Sequence, residues 1–147
     1  MKLNENCMLL EFPSRSVNEA FARSAVAAFA ARTDPTMEEL GDIKTAVSEA
    51  VTNAIVHAYP DSIGRIQIRC RVLEGNVLEI VVRDKGRGIE DLAQAMQPMF
   101  TTGSEERSGM GFTNMESFMT SLKVKSRPGK GTAVHMRRKI VNRGENR

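Results

Sequence analysis

Cysteine, histidine and long apolar runs are all scarce in this chain. The two cysteines, Cys7 and Cys70, are too few for a disulfide framework or a zinc knuckle and are expected as ordinary reduced thiols. His57 and His135 are the sole histidines of the sequence, which excludes a histidine-built metal centre, and no Ser/His/Asp nucleophile motif accompanies them. The longest unbroken apolar run, Ala25 to Ala31, falls far short of the roughly 20 residues that cross a bilayer. Met1 to Met8 is polar and lacks the apolar centre of a secretion signal, so a cytoplasmic protein without membrane contact is expected. Net charge is only +3. The last third is locally basic, but its cations alternate with apolar residues or fall in a tail, and no aromatic residues are interleaved for base stacking. Direct DNA binding is therefore not expected.

What is present reads as one globular unit. A length of 147 residues, 41% hydrophobic and 27% charged, supports a single domain over 1–147 with a real core. Met8, Leu10 and Phe12 alternate before Pro13, predicting an opening strand. Ser16 and Glu19 offer a capping box for a first helix with the stripe Val17, Phe21, Ala25 and Ala28, ending near Arg32. Asp34 as a helix cap with Pro35 just inside, and a second box from Thr36 to Glu39, announce a second helix. Its stripe is Leu40, Ile43, Val47, Val51, Ala54 and Ala58. Ile66, Ile68, Cys70 and Val72 alternate with polar residues, Glu74-Gly75-Asn76 makes a hairpin turn, and Leu78, Ile80 and Val82 share the face of a second strand that arrives at Asp84. The polar, weakly periodic stretch 89–108 is expected to be a lid. Phe112, Met115, Met119 and Leu122 have helical spacing, and 123–127 and 132–139 read as two closing strands joined at Pro128-Gly129. The fold class that follows is α+β, a two-layer sandwich with helices on one face of a mixed, mostly antiparallel sheet.

Three glycine signals punctuate this order: Asp84-Lys85-Gly86-Arg87-Gly88, Gly109-Met110-Gly111 and Gly129-Lys130-Gly131-Thr132. A glycine at a strand-to-loop junction is most often a turn residue supplying positive φ, so none of the three is specific alone. A Walker loop is excluded because Lys130 is followed by glycine rather than Ser or Thr, and a dinucleotide fingerprint because its third glycine is missing. On the second helix Glu49, Asn53 and His57 recur at i, i+4 and i+8, a polar row beside the apolar stripe. A solvated face is the ordinary fate of such a row; a site is the alternative.

The string Glu49-Ala-Val-Thr-Asn53-Ala-Ile-Val-His57, followed in order by those glycine boxes, resembles the N box and glycine boxes of the GHKL ATPases and kinases, whose domain is the Bergerat ATP-binding fold. Val47 to Tyr59 (VSEAVTNAIVHAY) and Arg107 to Met119 (RSGMGFTNMESFM) are similar to the bacterial anti-sigma factor serine kinases, with the sporulation branch the nearest likeness. The resemblance covers nearly the whole chain and implies ATP/ADP and Mg²⁺ as cofactors. It implies that Asn53 ligates the magnesium ion, a hard cation that takes oxygen, and that Glu49 is the general base for an attacking serine hydroxyl. Asp84 would accept from the adenine amino group, Gly86 and Gly88 would let the backbone approach the base, and Thr132 would complete the adenine contact. Gly109, Met110 and Gly111 would open a helix towards phosphate. Arg107 is placed by the family to reach the γ-phosphate, with a solvated lid cation as the equal alternative, since the stretch before it is shorter than the family pattern.

The implied activity is that of an anti-sigma factor that sequesters a sigma factor and phosphorylates a serine of an anti-anti-sigma antagonist. A homodimer and a sigma contact including the first helix, with Arg23 as a candidate on it, are implied as well, although an ordinary solvated arginine is the better-favoured reading of Arg23. A stress-response anti-sigma kinase and a non-catalytic ATP-gated binding module remain as alternatives. A detached histidine-kinase catalytic domain is disfavoured, because no helical hairpin precedes the N box and Pro13 to Arg32 contains no histidine.

Overall fold

The computed structural model describes residues 6–89 and 115–141, and the statements below concern those residues. They form five strands, β1 (Cys7–Pro13), β2 (Arg65–Leu73), β3 (Val77–Asp84), β4 (Ser121–Arg127) and β5 (Gly131–Lys139), with two main helices, α1 (Asn18–Ala30) and α2 (Met37–Asn53). The strand order is β1-β2-β3-β5-β4, and every pairing is antiparallel. This is the two-layer α+β sandwich expected from the sequence.

Alternation along the strands decides which face is covered. Ile66, Ile68 and Cys70 on β2, Leu78, Ile80 and Val82 on β3, and Val134 and Met136 on β5 point to one side. There they join Val26 and Phe29 of α1 and Ile43, Val47 and Val51 of α2 in one cluster. Each fully buried branched side chain contributes about 1.5–3 kcal/mol. The hairpin between β2 and β3 turns through Gly75 at φ 82° and Asn76 at φ 59°, conformations that these two residue types tolerate best.

Helix α2 begins as its capping box predicts. Thr36 Oγ1 accepts from the Glu39 backbone N–H at 3.0 Å and the Glu39 carboxylate accepts from the Thr36 N–H at 2.8 Å, which stabilises the helix by about 1 kcal/mol. Asp34 is not the cap: it lies in the left-handed region at φ 58°, closing the 3-10 turn Ala31–Thr33 that follows α1.

Helix α1 departs from expectation in two ways. Its buried face is Ala22, Val26, Phe29 and Ala30, whereas Val17 and Phe21 are 74% and 55% exposed. In so alanine-rich a segment several stripes satisfy helical spacing, and packing of the larger Val26 and Phe29 selects among them. Nor does the Ser16–Glu19 box form. Val17 occupies the cap position without a side-chain bond, and Glu19 instead accepts from Ser48 Oγ on α2 and pairs with Arg23 at 3.5 Å. Near the end of the chain, Met115 and Met119 are buried, the former in a helical turn at 115–118, but Leu122 belongs to β4 rather than to that helix.

Candidate functional site

The site residues gather where α2 ends, β3 ends and β5 begins. Beyond Asn53 the helix widens into a π-helical turn, Ala54–Ala58, a distortion that recurs at functional sites. The turn carries the Ala58 carbonyl to the loop after β3, where it accepts from the Arg87 N–H at 3.1 Å. On the other side of that loop, the Arg87 carbonyl accepts from Gly129 N–H at 2.6 Å. The loop is thereby held between the end of α2 and the β4–β5 turn.

Gly86 and Gly88 make this clamp sterically feasible. A Cβ on Gly86 would overlap the Ala58 carbonyl, and one on Gly88, at φ 75°, would overlap the Arg127 carbonyl. Their lack of a side chain is thus used first to bring three backbone segments together, which sets the floor beside Asp84.

Asp84 terminates β3 opposite Thr132. Its Oδ1 accepts from the Gly86 N–H at 2.9 Å and from the Thr132 N–H at 3.2 Å. Burial raises the carboxyl pKa, and the two backbone donors oppose that shift without cancelling it. Both donors fall on Oδ1, which leaves Oδ2 as the acceptor for an amino group of a ligand.

Glu49, Asn53 and His57 are half-buried along α2 and its π turn. The Asn53 Nδ2 is buried with no hydrogen-bond partner, an omission that costs about 1–3 kcal/mol unless something else fills it. An amide left unsatisfied, just before the π turn whose Ala58 carbonyl meets the Asp84 loop, fits a ligand-holding role, and its Oδ1 is an oxygen of the kind Mg²⁺ takes. Glu49 lines an open cleft between α1 and α2 together with Arg23, Lys44, Thr45 and Ser48. The structure therefore places Arg23 and Glu49 on one surface feature, although they are distant in sequence.

Two site residues carried no sequence signal of their own. Ser126 on β4 stands opposite Thr132; its hydroxyl accepts from the Ile89 N–H at 2.8 Å and lies 2.8 Å from Thr132 Oγ1. Tyr59 Oη accepts from the Lys85 N–H at 2.7 Å and donates to the Arg65 carbonyl at 2.8 Å. Only the strand register reveals the first, and only the fold of the loop the second; Tyr59, the single tyrosine of the chain, closes the string that carries the resemblance, but that string gave it no role. Arg107, Gly109, Met110 and Gly111, and the expected lid over 89–108 apart from Ile89, lie outside the described residues.

Known proteins resemble the chain in sequence and in fold. Residues 12–138 match the family described as "Histidine kinase-like ATPase domain". A protein named anti-sigma F factor from Caldanaerobacter subterraneus subsp. tengcongensis is 59% identical over 143 residues, 97% of each chain. Another of that name from Clostridium acetobutylicum is 54% identical over 93% of this chain and 96% of its own. Among solved structures, the blue-light activated histidine kinase of Erythrobacter litoralis EL346 superposes with a TM-score of 0.58 at 31% identity, over 73% of this chain and 32% of that one. The RsbU and RsbW domains of Rv1364c from Mycobacterium tuberculosis superpose with a TM-score of 0.66 over 90% of this chain and 32% of that one; at 17% identity this likeness concerns the fold alone.

Proposed function

The chain belongs to the histidine kinase-like ATPase domain family, and from that premise we propose that it is an anti-sigma factor. In this reading it sequesters a sporulation sigma factor and uses Mg-ATP to phosphorylate a serine of its anti-anti-sigma antagonist. Binding of ATP or ADP follows from the family itself. The observation that carries the finer reading is the near end-to-end identity with proteins named anti-sigma F factor, and the cleft that joins α1 to Glu49 is consistent with it.

The proposed roles are those that the resemblance implies, and the hydrogen bonds of Asp84 and the orphaned amide of Asn53 support two of them. Asp84 Oδ2 receives the adenine amino group while Thr132 and Ser126 hold Asp84 and the adjoining loop in register, so adenine is preferred over a base presenting a carbonyl there. Asn53 holds Mg²⁺, which when bound supplies positive charge to the phosphate oxygens. Glu49 takes the proton of the acceptor serine as its Oγ bonds to the γ-phosphorus; the bond from that phosphorus to the bridging β-phosphate oxygen breaks and ADP leaves. Arg107, Gly109, Met110 and Gly111 complete the phosphate contacts in this proposal on the strength of the resemblance. Arg23, which lines the Glu49 cleft, is the proposed contact for the sigma factor, and a homodimer in the cytoplasm is the proposed working form.

The test is phosphotransfer from labelled ATP with Mg²⁺ to the serine of a candidate antagonist, comparing wild type with Glu49→Gln. Incorporation that falls by roughly two orders of magnitude or more in the variant, with ATP binding kept, is the expected result for loss of a general base. ATP binding without any transfer by the wild type would replace the kinase with an ATP-gated binding module.

A further inference from the structure

The sheet face turned away from α1 and α2 carries a charge pattern for which the nucleotide cleft has no use. Register fixes its rows. Leu9, Arg69, Val81, His135 and Lys123 face one another across all five strands, and Arg83, Ala133 and Lys125 form the adjoining row on β3, β5 and β4. On the other side of the first row, Glu79 lies between Arg71 and Arg137.

Glu79 is already matched. It is 3% exposed and accepts from Arg71 Nε at 2.8 Å and Arg137 Nη2 at 2.9 Å, with Arg69 Nη2 at 3.5 Å. What remains is an excess of cations. Among the described residues Arg83, Lys123 and Lys125 have no ion pair with a carboxylate, and Arg69 keeps a buried Nε without any hydrogen-bond partner. Val81 is 1% exposed yet stands outside the cluster shared with the helices. It makes a small apolar floor between Arg69 and His135, as Ala133 does between Arg83 and Lys125. Burial lowers the pKa of His135 first, and the charges of Lys125, Arg83 and Arg69 add to that shift against Glu79.

We propose that this face docks an acidic segment of a partner protein, whose carboxylates are received over Val81 and Ala133 by Arg69, Arg83, Lys123 and Lys125. Guanidinium groups on this surface already hold one carboxylate in forked geometry, so the same chemistry suits another. Single-stranded nucleic acid is disfavoured because the rows contain no Phe, Tyr or Trp for stacking, His135 being their one ring. Duplex phosphate is disfavoured by Glu11 at the β1 end of the Arg83 row. A second copy of the chain would set this cation excess against itself. The face lies across the sheet from the helices, so its occupation is separable from events at Glu49.

The probe is a labelled peptide of roughly 15 residues with glutamate at i and i+4 on an alanine background, titrated with the full chain and followed by fluorescence anisotropy. Arg83→Glu combined with Lys125→Glu is expected to weaken binding by roughly tenfold or more and to remove its salt dependence. Lys123→Glu alone should act in the same direction, and Arg32→Glu, a reversal in the 3-10 turn, should change it by less than about twofold. Retained ATP binding and an unchanged circular dichroism spectrum show that the variants fold. The proposal is overturned by equal loss in Arg32→Glu, by no loss in the double reversal, by duplex DNA binding this face where the peptide does not, or by a dimer that dissociates on the double reversal in the absence of peptide binding.

Discussion

The two faces of the sheet are built on the same strands by opposite means. Towards the helices, Ile68, Ile80 and Met136 are fully buried in an apolar cluster, where stability scales with area removed from water. Towards the outside, Glu79 and Val81 are almost as inaccessible, yet what surrounds Glu79 is arginine. The first face tolerates exchange of one apolar group for another of like volume. The second depends on a balance of charge, so it responds to pH and salt where the first does not.

The largest break in this comparison comes from the covered face. Ile68→Ala should destabilise the protein by about 2–5 kcal/mol in denaturant titration, because the site lies wholly inside the cluster and cannot collapse freely. An equal loss from Arg83→Ala, for which under about 0.5 kcal/mol is expected, would erase the distinction between the faces.

Next in size is the end of the sheet at Asp84, where nucleotide binding is proposed. Asp84→Asn should weaken ATP binding by roughly a hundredfold, the scale of a lost hydrogen bond to a charged group, measured by calorimetry. Stability should hold or rise. Burial raises the Asp84 pKa in the folded state, so its ionised form costs stability above that pKa, and the variant removes the cost.

Glu79→Gln should cost roughly 1–3 kcal/mol at neutral pH, less than a wholly buried pair because Arg137 is 55% exposed at its side chain. Burial alone would raise the Glu79 pKa, but the hydrogen bonds and charges of Arg71 and Arg137 outweigh it and hold it below the usual 4.5. The stability it brings is therefore present above pH 4.5 and is lost as pH falls through the lower folded-state value, so wild type and variant should converge in acid. A gap that persists in acid would mean that Glu79 acts through packing.

The smallest expected effect is that of Ser126→Ala, about 1 kcal/mol, seen as a several-fold loss of ATP affinity. The hydroxyl ties Ile89 to Thr132, and Thr132 in turn donates to Asp84. A change in stability with no change in the preference for ATP over GTP would make Ser126 structural only.

Local chemistry explains what was legible beforehand. The alternation of Ile66, Ile68 and Cys70, the Gly75-Asn76 turn and the Thr36–Glu39 box are each written within a few residues, and each is found. Glu49 and Asn53 were legible for the same reason, since one α-helix carries both, whereas His57 lies in the π-helical turn beyond it, which the sequence spacing did not announce. The buried side of α1 was not, because alanine fits either stripe and the decision is made by Phe29 against the sheet. Glu79 meets Arg137 by strand pairing across 58 positions, information that no local window contains, whereas Ser126 faces Thr132 six residues away and waited only on the register of its hairpin.

Tyr59 adds a consequence of an optical kind. The chain contains no tryptophan and one tyrosine, so its intrinsic ultraviolet emission originates in a single ring. That ring lies against Gly64, and its hydroxyl spans Lys85 and Arg65, one residue from the carboxylate proposed to read adenine. The protein thus has a built-in fluorophore beside the loop proposed to receive adenine, and occupancy there should be visible without attaching a label.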